Sequence, residues 1–210
     1  MPINTPSFDE LNNIRTIVEL ELYAGLYDRK VDRKRIEDMI FDLLTMAYAF
    51  GIEKAGLDLG DEPTSNDDMR RDAIEAPTAG KTVFERMNAH IDAASEQIAA
   101  GGPAAVAAAS RLAEQLSVLI DTEAGRVANT AIFDAAEEYQ RRNPGKQVMK
   151  RWVTMADDRV RDTHQYLEGT EVPLDAYFYS YSGDKALFPH GFQTAQEVVN
   201  CRCTCELFVR

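Results

Sequence analysis

A long helix is predicted in the middle of the chain, between two sequences that form turns. Gly101-Gly102-Pro103 is predicted to end one helix and begin the next. Proline suits the first turn of a helix because a backbone N–H at that position has no partner within the helix. The run of apolar residues at helical spacing ends at Asn143-Pro144-Gly145. We therefore predict one helix over about residues 104–142. Its apolar face includes Leu112, Leu116, Leu119, Ile120, Val127 and Ala131.

Shorter helices are predicted ahead of it. Ser7–Glu10 and Thr82–Glu85 each have the spacing of a capping box, in which two side chains pair with opposite backbone amides. Another helix should begin near Asp32. Its apolar face is formed by Ile36, Ile40, Leu43, Ala47 and Phe50. From Gly51 to Gly80 the pattern decays into an acidic stretch rich in turn residues, which predicts a mobile or partner-ordered linker.

The character of the sequence changes after Gly145. Val148–Met155, Tyr177–Tyr181 and Cys203–Val209 are rich in β-branched and aromatic residues, which predicts strands, and Arg159–Leu167 is predicted as a short helix. The fold class is therefore α+β: an N-terminal all-helical arm followed by a small C-terminal α+β domain. The predicted parts are a helical arm (1–60), an acidic linker (61–80), a helical hairpin (81–145) and the α+β domain (146–210).

The net charge of −12 lies almost entirely in the first 145 residues, which carry 15 basic and 26 acidic side chains. The last 65 residues carry 8 and 9. Binding to a phosphate backbone normally needs a basic face, so direct nucleic-acid binding is not expected. No stretch approaches twenty apolar residues, and Met1–Asn13 lacks the pattern of a secretory signal, so no membrane partner is expected either.

Three cysteines stand at alternate positions near the end of the chain. Their odd number argues against a disulfide framework and fits a reducing cytoplasm. On a strand, Cys201, Cys203 and Cys205 would share one face. With His164 or His190 folded nearby, two thiolates and one or two imidazoles could bind zinc. The alternative is a row of buried cysteines that act as small apolar side chains, with no cofactor.

Polar residues around the short helix allow two interpretations. An enzyme could use His164 as general base with Asp157 as its orienting partner. Alternatively, Asp157 caps the helix, and Arg161 and His164 hydrogen-bond from one side of it into the strands. The chain has no Gly-rich phosphate loop, nucleophile elbow or paired catalytic carboxylates, so we predict a structural network and no enzyme. Its predicted members are Trp152, Asp157, Arg161, His164, Asn200 and Arg202.

Two charged residues of the long helix, Glu123 and Arg126, are predicted to lie on a solvated face. The alternative is that they clamp the tail against the helical arm. Trp152 is predicted to be a core residue, because it has no basic neighbourhood of the kind that single-stranded nucleic acid needs.

Several separated motifs in about residues 115–205 stand in a recognisable order. They are Thr122-Glu123 with Arg126 and Asn129, Trp152-Val153-Thr154, Asp157-Asp158-Arg159-Val160-Arg161, His164, Leu167-Glu168-Gly169, Val172-Pro173-Leu174-Asp175, Phe178, Pro189 and Glu197-Val198-Val199-Asn200-Cys201-Arg202-Cys203. In this order they resemble the phage Mu F-like minor head proteins, also called phage head morphogenesis proteins. That family commonly has an arginine before the Thr-Glu pair, where this chain has Asp121.

The resemblance implies a minor capsid protein of a tailed bacteriophage or prophage. Such a protein would assemble with the portal protein and other head proteins inside the procapsid. It would lie in the interior of the head near the portal, and in the bacterial host cytoplasm during assembly. Some relatives carry toxin or enzyme modules after this domain, and we expect none here. The alternatives are an enzyme, a nuclease or transferase using His164 and Asp157, or a zinc-stapled interaction module. The oligomeric state stays open.

Overall fold

A computed structural model describes residues 20–21, 30–62, 65–77 and 80–210 of the chain. Its four longest described helices are α1 (Arg33–Leu59), α2 (Asp67–Glu75), α3 (Val83–Ala100) and α4 (Gly102–Arg142). The long helix predicted over 104–142 is confirmed as α4. The helix predicted to follow Ser7 lies outside the described residues.

The predicted helix starts are confirmed where they are described. Asp32 caps α1, because its side chain accepts a hydrogen bond from the backbone N–H of Arg35 at 3.1 Å. Thr82 and Glu85 form the predicted capping box of α3, with backbone-to-side-chain distances of 3.2 and 2.7 Å. Both helices therefore begin where local hydrogen-bonding chemistry places them.

The prediction that helical structure decays from Gly51 is wrong, because α1 continues to Leu59. A Cβ atom at Gly51 would lie 2.2 Å from the Ala128 carbonyl oxygen and 2.7 Å from the Ala131 Cβ atom. This glycine therefore allows α1 and α4 to approach closely, rather than breaking the helix. α1 ends at Gly60, whose φ of 64° is left-handed.

The predicted decay of helical structure between Gly51 and Gly80 is also wrong for the residues that form α2. Asn66 caps this helix by accepting a hydrogen bond from the backbone N–H of Met69 at 2.9 Å. Ala73 and Ile74 are buried among the other helices. This helix was not predicted because its sequence is acidic and only these two residues are buried, which is too few to give a clear apolar pattern.

The tail that follows α4 combines short strands with two one-turn helices. Its elements are β1 (Val148–Val153), α5 (Asp162–Gln165), β2 (Glu171–Pro173), β3 (Phe178–Tyr179), β4 (Lys185–Ala186), α6 (Ala195–Val198) and β5 (Thr204–Val209). β1 lies at the centre of an antiparallel sheet of order β2-β1-β5, and β3 pairs with β4. The α+β class is confirmed, although the predicted strand 177–181 and helix 159–167 shorten to β3 and α5.

The hydrophobic side chains form two clusters. One joins α1, α2, α3 and most of α4. The other joins tail residues such as Trp152, Phe178 and Leu207 to Ala55 of α1 and to Ile132 of α4. The sheet therefore packs on the helices, while the four-part division of the chain remains a prediction. None of the described helices has the combined length and apolarity needed to cross a membrane.

Candidate functional site

One histidine and two cysteines converge in the interior of the tail. His164 lies on α5, and Cys201 and Cys203 lie between α6 and β5. The His164 Nδ1 atom is 3.5 Å from the sulfur of each cysteine. These three donor atoms all lie within 4.8 Å of one another, and all three residues are buried.

His190 lies against the same cluster. Its imidazole lies close enough to Cys201 to lower the pKa of that thiol. The ring also lies against α4 at Gly125, where a Cβ atom would come within 2.4 Å of the His190 Cε1 and Nε2 atoms. The Nδ1 atom of His190 is buried and has no hydrogen-bond partner among the described residues. The structure thus brings three of the four suggested metal ligands, His164, Cys201 and Cys203, within 4.8 Å of one another, while His190 lies beside this group and outside it.

The third cysteine lies apart from this cluster. Only Cys205 lies on β5, so the three cysteines do not share one strand, although all three are buried. Burial raises the pKa of the Cys205 thiol to about 12. Cys205 therefore behaves as the small apolar side chain that the sequence offered as the alternative.

The two clustered thiols shift each other's pKa in opposite directions. The hydrogen bond from Cys203 lowers the pKa of the Cys201 thiol, and the same contact raises the pKa of the Cys203 thiol. Trp152 packs edge-on against the His164 ring, with ring centroids 5.3 Å apart. Its indole N–H lies near the Cys203 sulfur but does not form an aligned hydrogen bond. Trp152 is fully buried, as predicted.

A buried carboxylate, Glu197, lies against His164, and no role was predicted for it from the sequence. The Oε2 atom of Glu197 is 3.1 Å from His164 Nε2 and accepts a hydrogen bond from the Thr163 hydroxyl at 2.9 Å. The Ser182 hydroxyl donates to Oε1 at 2.6 Å. Burial opposes ionisation of Glu197, but these hydrogen bonds and the nearby His164 lower its net pKa. One feature of the sequence could have indicated this role: Glu197 is an acidic residue at the otherwise apolar start of the 197–203 motif.

The other predicted network residues lie around the cluster. Arg202 donates two hydrogen bonds to Asp157, at 2.7 and 2.5 Å, and this pair lowers the pKa of Asp157 to about 2. The interpretation that Asp157 caps the short helix is wrong: Arg161 stands at the N-cap of α5, and Asp157 accepts from the Arg159 backbone in the preceding turn. The Arg161 guanidinium donates to the backbone carbonyls of Gln196 and Val199.

Asn200 contributes through its backbone. Its φ of 57° is left-handed, a conformation that asparagine tolerates better than most residues. Its N–H donates to the Thr122 hydroxyl at 3.4 Å, while the residue is solvent-exposed. The Asn129 side chain of α4 donates to the Cys203 carbonyl at 3.3 Å and accepts from the Cys205 N–H at 3.2 Å. α4 thus holds the cysteine segment through two polar side chains whose roles the sequence left unassigned.

Glu123 and Arg126 are buried, so the prediction of a solvated face is wrong. Glu123 accepts from Arg86 of α3 at 2.5 Å and from Arg126 at 2.8 Å. Arg126 also donates to the carbonyl of Ile74 at 3.4 Å. These charges connect α2, α3 and α4 with one another. The tail is held instead by Thr122 and Asn129 of α4, which form hydrogen bonds with it.

A small pocket lies beside the cluster, with a volume of about 10 Å³. That volume accommodates roughly one water molecule. It is lined by Arg159, Val160, Arg161, His164, Asn200, Cys201, Arg202 and Cys203. The arrangement can therefore hold one small ligand, such as a water molecule or an ion, next to the sulfur atoms.

Comparisons with known proteins identify a family and one relative that this chain resembles. The family model described as "Phage Mu protein F like protein" matches residues 70–206, well over half of the chain. The chain is also 30% identical over 156 residues to a protein of Enterococcus faecalis (strain ATCC 700802 / V583) named NAD(+)–arginine ADP-ribosyltransferase EFV. That match covers 68% of this chain but only 31% of the relative. No solved structure matches.

Proposed function

The chain belongs to the Phage Mu protein F like family, and from this premise we propose that it is a structural protein of a tailed phage or prophage head. Family membership supports a role in head morphogenesis, and the matched residues 70–206 include α3, α4 and the buried cluster. In this proposal the protein is a minor capsid component. It acts during virion assembly in the interior of the head, next to the portal protein.

The observation that carries the structural role is that the tail's reactive side chains are paired inside the protein. Asp157 pairs with Arg202, and Arg161 binds two backbone carbonyls. His164 faces two sulfurs on one side and Glu197 on the other. Side chains that engage one another in this way help to hold a small domain closed. The His164 Nε2 and His190 Nδ1 atoms are exceptions, because neither has an aligned hydrogen bond among the described residues.

The geometry does not support the enzyme alternative built on His164 and Asp157. The two residues take different partners, Glu197 and Arg202 respectively. The pocket at this place has a volume of about 10 Å³, whereas small-molecule sites usually measure roughly 300–1,000 Å³. The relative named as an ADP-ribosyltransferase is about three times longer than the aligned segment. We propose that the two proteins share a structural segment rather than an activity.

Co-purification tests the proposal. We expect the full chain, co-expressed with the portal protein of the same phage, to co-elute with portal rings in size-exclusion chromatography and to co-sediment with them. Because the chain carries a net charge of −12, the complex should be challenged with about 0.5 M salt, which screens exposed charges beyond a few ångströms.

A complex that survives this salt concentration supports specific assembly. The major capsid protein of the same phage, co-expressed in place of the portal protein, is the control and should not retain the chain at that salt concentration. The head-protein proposal would be overturned if the chain bound neither portal rings nor procapsids and if deleting its gene left the yield of infectious virions unchanged.

A further inference from the structure

We propose that His164, Cys201 and Cys203, with His190 as the fourth ligand, bind one zinc ion that holds the tail in its folded form. The inference rests on the geometry of the buried cluster and is independent of the role proposed in head assembly. Two sulfurs and two imidazoles form a donor set that zinc accepts in closed, tetrahedral structural sites.

The distances inside the cluster fit a tetrahedral ion. Zinc–sulfur bonds of about 2.3 Å and zinc–nitrogen bonds of about 2.0–2.1 Å place neighbouring nitrogen and sulfur ligands about 3.6 Å apart at the tetrahedral angle. The His164 Nδ1 atom lies 3.5 Å from the sulfur of Cys201 and 3.5 Å from that of Cys203. Two edges of a zinc tetrahedron are therefore already present in the cluster, and the two sulfurs lie within 4.8 Å of each other.

His190 is the residue nearest to hand for the fourth corner, although its ring must move closer to join the three donor atoms that already lie within 4.8 Å of one another. Its buried Nδ1 atom has no partner in the described part of the chain. An unpaired buried nitrogen is costly, and a metal ion is one group that would satisfy it. Gly125 leaves room for the ring against α4, because a Cβ atom there would overlap it. His190 also has a left-handed φ of 68°, which few non-glycine residues adopt.

The surroundings provide the support that metal ligands require. A metal-bound histidine usually donates its other ring nitrogen to a carboxylate or carbonyl. Here Glu197 lies 3.1 Å from His164 Nε2 and is itself held by Thr163 and Ser182. The Asn129 side chain fixes the backbone on the other side, at Cys203. A carboxylate beside His164 and an amide bound to the Cys203 backbone thus already lie next to two of the three clustered ligands.

Burial indicates a structural site for zinc rather than an open catalytic one. His164, His190, Cys201 and Cys203 are each at most 5% exposed, and zinc sites without an open coordination position generally stabilise folds. A pair of sulfurs with nitrogen ligands favours zinc over magnesium or calcium, which prefer oxygen. Cys205, buried on the same segment but outside the donor set, is the natural control.

Metal analysis of the full chain tests the site. The protein should be purified without a histidine tag, under reducing conditions and without chelators. We expect about one zinc per chain by mass spectrometry of the metal content. After zinc removal, titration with Co²⁺ should produce the near-ultraviolet sulfur-to-cobalt bands and the intense visible bands of a tetrahedral thiolate site. The proposal would be overturned if the wild-type protein contained no zinc and failed to give this spectrum with Co²⁺.

Variants test the individual ligands. Cys203→Ser and His164→Gln should lose stoichiometric zinc, His190→Gln should bind at least tenfold more weakly, and Cys205→Ala should retain about one zinc per chain. Retention of zinc by Cys203→Ser would overturn the ligand assignment, as would equal loss in Cys205→Ala. A His190→Gln protein with an unchanged cobalt spectrum would remove His190 from the set. If a variant fails to fold, the cobalt spectrum of the wild-type protein still decides whether the site exists.

Discussion

At the scale of single residues, the charges that hold this protein together are the buried ones. Glu123 is fully buried between Arg86 and Arg126, and removing one partner of such a group typically costs about 3–5 kcal/mol. The Asp157–Arg202 pair is partly exposed, and solvent weakens the interaction between its two charges. Loss of one charged partner should therefore matter more at Glu123 than at Asp157.

A partly buried acid on α4, Asp134, should make stability depend on pH. Burial, with a smaller effect from Glu137, raises the pKa of Asp134 to about 6 from 3.8. Its neutral form is therefore favoured in the folded state, and this contribution is complete below pH 4 and is lost as pH rises through 6. After discounting for its partial exposure, we expect Asp134→Asn to be more stable at pH 7.5 by about 1–2 kcal/mol.

Thermal unfolding at several pH values measures this effect. The advantage of Asp134→Asn should shrink below pH 6 and disappear below pH 4, where Asp134 is neutral in both states. Glu114→Gln, an exposed change on the same helix, should show no such dependence. An Asn variant with the same stability difference at pH 4 and pH 7.5 would contradict the role of Asp134 ionisation.

At the scale of elements, two glycines decide how closely other groups pack on α4. Gly51 allows α1 to approach the backbone of α4 at Ala128, and Gly125 makes room for the His190 ring. The other end of α1 reaches the sheet, where the Asp58 side chain accepts a hydrogen bond from the Leu207 N–H at 2.9 Å. α1 and α4 thus form one platform that carries the tail.

A methyl group at Gly51 should force the two helices apart. Its Cβ atom would lie 2.2 Å from a backbone oxygen, which cannot move aside as the end of a side chain can. We expect Gly51→Ala to destabilise the protein by about 1–3 kcal/mol, because the overpacking outweighs alanine's helix preference of about 1 kcal/mol. Chemical denaturation of the full chain measures this difference.

Gly145→Ala is the matched control, because nothing lies within 4 Å of a Cβ atom at that position. It should change the free energy of unfolding by less than about 0.5 kcal/mol. If Gly51→Ala were as stable as the wild-type protein, the close crossing of α1 and α4 would be ruled out.

At the scale of the whole molecule, the hydrophobic core of the tail includes residues of α1 and α4. Ala55, Ile132 and Tyr139 of the helices belong to the same cluster as Trp152 and the tail's other apolar residues. Polar contacts from Thr122, Asn129 and Asp58 cross the same boundary. The helices therefore supply one wall of the core as well as hydrogen bonds to the backbone of the last strand.

A fragment of residues 146–210 should accordingly fail to fold by itself. It is short, and it would expose the face of Trp152, Leu207 and their neighbours that packs on α1 and α4. We expect weak near-ultraviolet circular dichroism from Trp152 and no cooperative thermal transition. The full chain, measured with the same amount of added zinc, is the control. A cooperative transition in the fragment would show that the tail is self-contained.

Local chemistry in the sequence was sufficient for part of this fold. The capping residues at Asp32 and Thr82, the turn before α4 and the β-branched runs of β1 and β5 define elements through contacts a few residues apart. The order of the motifs in the tail was sufficient for the family, which the match over residues 70–206 confirms. Such features depend on neighbours along the chain, so a single sequence reveals them.

Only the tertiary structure decided how distant residues meet. Gly51 looked like the end of a helix because its partner, Ala128, lies far along the chain. Glu123 looked solvated because Arg86 and Ile74 come from other helices. Glu197 had no visible role until folding placed it against His164. Burial and pairing are properties of the packed chain, so residue spacing named the candidate ligands while packing alone brought them together.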